Sequence, residues 1–142
     1  MNGFAGFTGR VLMGGLFVAG ALVKWNAFVS TAQWLDDQGL PFASVLLALA
    51  IGVELVGGVL LLLGLRTVKA SWVMALYLVA VTLVVHHDFT ERLNIVFAFT
   101  NLGLLGGLLV LAEHGAPKFG LDSYLGRHGK VDTIDAATAV HT

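Results

Sequence analysis

Residues 42–65 read FASVLLALAIGVELVGGVLLLLGL, an apolar run broken by a single acid, Glu54. A helix crosses the hydrocarbon core of a bilayer in about 20 mostly apolar residues, and this run is long enough. It does not alternate, as a short membrane strand would. A helix also closes every backbone hydrogen bond within its own segment, which lipid demands. Gly39-Leu40-Pro41 stands just before the run, and proline suits the first turn of a helix. The stretch is therefore read as a transmembrane helix.

Three further stretches share its character. The predicted spans are about 7–28, 42–65, 68–87 and 93–113. The fold class that follows is all-α, an integral membrane four-helix bundle. The connections at Arg66-Thr67 and at Asp88 to Arg92 are short, so the helices they join are antiparallel neighbours. Composition agrees. Hydrophobic residues make up 57% of the chain and charged residues 12%, against about 45–50% and about 25% in soluble domains. The length of 142 residues suits one compact unit. That unit is assigned to 1–126, and 127–142 is read as a polar, mobile tail. Val11 to Val23 with Arg10 before it has some signal-peptide character. Three longer apolar segments follow, so a retained first helix fits better.

Residues 26–37 place Phe28, Ala32 and Leu35 at helical spacing between Trp25 and Trp34. This suits a helix extension or an interfacial helix; an ordered loop with interface tryptophans fits equally well. Arg10 and Lys24, near the ends of the first span, are expected to snorkel to the headgroups. One side of the membrane would hold Arg10, Arg66, Lys69, Lys118, Arg127 and Lys130, and the other only Lys24 and Arg92. The positive-inside rule then puts both termini in the cytoplasm.

The net charge of −1 offers no basic stripe for nucleic acid. The chain has no cysteine, which excludes disulfides, thiolate catalysis and cysteine-ligated metals. No GxSxG, GxGxxG, GxxxxGK[ST] or HExxH motif occurs. His86 and His87 are adjacent on a helix and point about 100° apart, so they cannot form a facing pair. No metal, haem or iron–sulfur site is expected.

Glu54 is the sharpest feature. An acid at mid-membrane costs on the order of 2.5–3.5 kcal/mol on insertion scales. It should face the bundle interior and be protonated or paired. Gly57 and Gly58 share its face and would give a helix or a ligand close access. Asn101 lies at similar depth in the fourth span and could hydrogen-bond to Glu54. A polar clasp between helices and a functional site weigh about equally here. Toward the outer face, Lys24 and His86 could serve as proton or hydrogen-bond donors, for example to a quinone carbonyl. Ordinary interfacial polar residues would look the same. The rows Gly15/Ala19, Gly57/Gly58 and Gly103/Gly107 suit tight helix packing or an oligomer interface.

The order of these elements resembles the DoxX family of small bacterial membrane proteins. The resemblance runs from about Gly9 to Asp122. It is carried by Arg10, the apolar run to Gly20 and Lys24, and Gly39-Leu40-Pro41. Glu54-Leu55-Val56-Gly57-Gly58 with Gly64, and His86-His87-Asp88-Phe89, come next. Asn101, Gly106-Gly107, Gly115 and Leu121-Asp122 complete it. Thr100 departs from the pattern, where many members have lysine. The resemblance implies a four-helix bundle in the bacterial inner (cytoplasmic) membrane. It implies, less directly, quinone-linked oxidoreduction, because the family is similar to the membrane part of thiosulfate:quinone oxidoreductase. On that expectation Glu54, His86 and Lys24 carry the chemistry. Glu54, Gly57, Gly58 and Asn101 line a quinone or lipid pocket. The partners would be the bilayer and a larger membrane complex or a second copy of the chain. A non-catalytic accessory subunit is the alternative, and a small transporter is less favoured, since four short helices leave little room for an aqueous route.

Overall fold

Gly64 closes the run that decides the fold. Its backbone is left-handed (φ 64°), and its N–H reaches Leu61 O while that of Leu65 reaches Leu60 O. This Schellman turn satisfies carbonyls that a helix end leaves open. In a computed structural model, which describes residues 3–85, 90, 92–115, 120–122 and 124, that helix is the third of five. They are α1 (Gly3–Asn26), α2 (Phe28–Asp37), α3 (Ala43–Leu63), α4 (Thr67–Val85) and α5 (Arg92–His114). No strand occurs among the described residues. Four of the helices (α1, α3, α4 and α5) are long and apolar enough to cross a membrane. The predicted spans hold, with boundaries moved by a few residues; the tail at 127–142 and the residues His86 to Phe89 lie outside the described residues.

The four long helices form a ring in chain order, α1 against α3, α3 against α4, α4 against α5, and α5 back against α1. Large apolar side chains point outward from each of them, as Leu12, Leu49, Leu76 and Phe99 do. A soluble surface does not carry such a belt. Lipid is its solvent.

Close approach of backbones sets the tightest contact. Gly14 on α1 faces Gly58 on α3, and a Cβ on Gly14 would stand 2.7 Å from Gly58 O. Further along α1, Gly20 meets Glu54, which lies earlier on α3. The two helices therefore run antiparallel. Methionine thioethers fill the other two glycine notches, Met74 at Gly57 and Met13 at Gly107. Small residues at the contact let helices associate without a hydrophobic drive from water.

The segment after α1 is helical. Its backbone hydrogen bonds continue through Ala27, which accepts from Thr31 N–H at 2.9 Å and donates to Val23 O at 3.0 Å. Ala32 and Leu35 are buried and pack with Ala21, Leu40, Ala43 and Leu47, while Trp25 and Trp34 stay exposed. The segment is thus a helix, α2, and not an ordered loop.

Candidate functional site

Glu54 sits midway along α3 and is 6% exposed. Two side chains from two other helices meet it. Lys24 Nζ donates to Oε1 at 2.8 Å and to Oε2 at 2.7 Å, and Tyr77 Oη donates to Oε1 at 2.6 Å. The acid is paired, one of the two states expected for it in lipid.

Local sequence explains the reach of Lys24. Side chains on a helix lean toward its N-terminus, over the residue four positions earlier. For Lys24 that residue is Gly20. A Cβ there would lie 3.6 Å from both Lys24 Nζ and Glu54 Oε2, so the glycine keeps open the space in which the ion pair forms. The expectation that Lys24 snorkels outward is corrected. Its ammonium turns inward, because a carboxylate in a low-dielectric interior attracts it more strongly than in water. About a third of the side chain remains exposed.

Arg10 is corrected in the same way. It is 1% exposed, and Nη1 donates to Leu61 O at 2.8 Å and Leu62 O at 3.1 Å. The last carbonyls of α3 lack full helical partners, and a guanidinium with five donors serves Leu62 O and adds a second donor to Leu61 O, beside Gly64 N–H. Asp122 completes this end of the bundle, accepting from Arg66 N–H at 2.7 Å and Thr67 N–H at 3.0 Å at the start of α4.

Asn101 does not orient Glu54. Its amide donates to Thr82 Oγ1 at 3.0 Å, and that hydroxyl donates to Leu78 O at 2.7 Å. The pair ties α5 to α4 on another side of the ring. Gly57 and Gly58 serve helix contacts, filled by Met74 and by Gly14 with Val18 and Phe17; these notches are taken up by the protein itself. His86 lies outside the described residues. Among the described residues no group of three or more metal-binding side chains forms.

Tyr77 was missed in the sequence, although a signal exists. It stands as far beyond the α3–α4 turn as Glu54 stands before it. Residues equidistant from the turn of an antiparallel hairpin lie at one depth. Beside the cluster is a cavity of about 320 Å³ between α2, α3 and α4. Lys24 and Tyr77 form part of its wall, and Trp34, Leu47, Ala50 and Val81 supply apolar surface. The arrangement places the Tyr77 and Lys24 side chains against an apolar hollow of a size that small ligands occupy, with the Glu54 carboxylate bonded to both.

Comparison with known proteins adds three findings. The chain is 29% identical to the inner membrane protein YqjF of Escherichia coli (strain K12) over 118 residues, which cover 83% of this chain and 89% of that one. No solved structure matches. With four spans and this relative, the protein is a multi-pass protein of the inner membrane. The DoxX family model matches residues 5–87, the segment that contains Arg10, Gly20, Lys24, Glu54 and Tyr77, and the chain belongs to the DoxX family.

Proposed function

We propose that this protein handles protons for a quinone-linked oxidoreduction, acting as the membrane subunit of an oxidoreductase. The observation that carries the reading is the Lys24–Glu54–Tyr77 cluster, held in the membrane interior beside an apolar cavity. Reducing a quinone to the quinol takes two electrons and two protons. The chain has no cysteine, and the electrons would come from a reduced partner protein. The residues here would supply hydrogen bonds and protons. Lysine has three donors, and Lys24 gives Glu54 two short contacts, so one N–H can turn to a carbonyl in the cavity. Tyr77 can pass its proton to that carbonyl and recover one from the Lys24 ammonium, relayed through the Glu54 carboxylate that accepts from both. His86, close to this end of α4 in sequence, is a further candidate donor.

The test is quinone-dependent electron transfer in membranes carrying Glu54→Gln or Tyr77→Phe. A fall of tenfold or more is expected for each, within the range that general acid–base groups contribute. Unchanged turnover in folded Tyr77→Phe protein would remove the catalytic role.

A second reading has its own support. Lys24, Glu54 and Tyr77 come from three different helices, which is what a structural clasp requires. The chain would then be an accessory subunit of a larger membrane complex. Loss of stability in Tyr77→Phe without loss of turnover selects this reading.

A further inference from the structure

The outer face of α3 and α4 carries a second hollow, of about 540 Å³, nearer the turn that joins them. Its walls are apolar, with Val56 and Leu60 from α3 and Val73 from α4. Gly52 opens it, since a Cβ there would meet nothing within 4 Å. At one end the wall changes character, because Arg66 and Lys69 line it and both are exposed. Along α3 the lining runs from Ala48 to Leu60, about 18 Å at 1.5 Å per residue. That is a little more than half of the ~30 Å hydrocarbon core, the depth of one leaflet.

The first backbone N–H groups of α4 are already taken by the Asp122 carboxylate. An anion at the charged end would therefore be met by the two side chains. A ligand that fits must carry negative charge at its head and a long apolar chain below. We infer that this hollow holds one anionic glycerophospholipid, its phosphate between Arg66 and Lys69 and one acyl chain against Gly52 and Val56. The lipid belongs to the leaflet on the side of the α3–α4 turn. The site is separate from the Lys24–Glu54–Tyr77 cluster, and it does not depend on any redox role.

Native mass spectrometry of the full chain in detergent tests the assignment, with phosphatidylglycerol and phosphatidylcholine of matched chains as probes. Wild-type protein should retain one phosphatidylglycerol in preference to phosphatidylcholine. Arg66→Gln or Lys69→Gln should weaken it about fivefold, and both together about thirtyfold, by the usual contribution of a basic side chain near anionic lipid. Gly52→Phe should displace the lipid with both charges intact. The three positions are exposed or open, so the variants should fold, and circular dichroism checks that they do. Equal retention of the two lipids, or retention unchanged in the double variant, would overturn the site. Glycerol phosphate competing as well as the whole lipid would reduce it to a headgroup contact. A dimer that dissociates in Gly52→Phe would instead make the hollow an interface between copies.

Discussion

Tyr77 Oη stands 2.6 Å from Glu54 Oε1, so the hydroxyl of α4 and the ammonium of α1 converge on one carboxylate of α3. The acid that lipid would penalise becomes the point where three helices are joined. Its hydrogen bonds are charge-assisted, the stronger kind.

The energy of this junction should show as coupling. Lys24→Met alone is expected to destabilise the bundle by about 1–3 kcal/mol. That is below the ~3–5 kcal/mol of a fully buried pair, because the lysine is partly solvated. Combining it with Glu54→Leu should cost less than the sum of the two single changes, since no unpaired charge is left. Unfolding in mixed micelles measures all four proteins, and strict additivity would mean that the ion pair contributes nothing.

Tyr77→Phe removes one hydrogen bond to a charged group and nothing else. A loss of about 1.5–3 kcal/mol is expected, with the helix content unchanged by circular dichroism. No change in unfolding would show that the hydroxyl has another partner or none in the membrane.

Arg10 should matter more than its place near one helix end suggests. Arg10→Met leaves Leu62 O without its donor and Leu61 O with only the Gly64 N–H, and an orphaned acceptor costs about 1–3 kcal/mol. The variant should accumulate poorly in membranes. Arg10→Lys should recover part of the loss, because an ammonium can reach a carbonyl but cannot fork between two as well. Equal accumulation of all three proteins would contradict the clasp.

The glycines divide into two kinds. Gly14→Val would drive atoms into Gly58 O and Leu62, separating α1 from α3, and folded protein should be lost. Gly15→Ala meets nothing within 4 Å and should be neutral or stabilising by up to ~1 kcal/mol, from lower helix entropy cost. Yield of monodisperse protein in detergent ranks the two. Similar yields would remove the close-approach argument.

Orientation can be read by cysteine labelling, since the chain has none of its own. With both termini in the cytoplasm, an impermeant maleimide added to intact spheroplasts should label Gln38→Cys, in the α2–α3 connection. It should leave Glu113→Cys, at the end of α5, unmodified until the membrane is opened. The reverse pattern would invert the topology expected from the lysines and arginines.

Which parts of this protein are legible in its sequence follows from the range of the forces. The four spans and the antiparallel neighbours are set by hydropathy and short connections, which are local. Glu54 was visible because an acid in lipid has a known cost, and the amphipathic face of Ala32 and Leu35 was visible through its period. The partners were not. Arg10 and Lys24 look like residues that reach for water, and only the packing of α3 beside α1 brings carbonyls and a carboxylate close enough to hold them. Asn101 is expected from sequence at the depth of Glu54, yet α5 packs chiefly against α4, and its amide goes to Thr82, five residues along α4 from the Tyr77 that meets Glu54. Depth is written in the chain, because the bilayer imposes it on each helix alone. Azimuth, which decides who meets whom, depends on the mutual packing of all four helices. So the membrane fold was determined by the sequence read one segment at a time, while the Lys24–Glu54–Tyr77 junction and the Arg10 clasp were decided only when the helices came together.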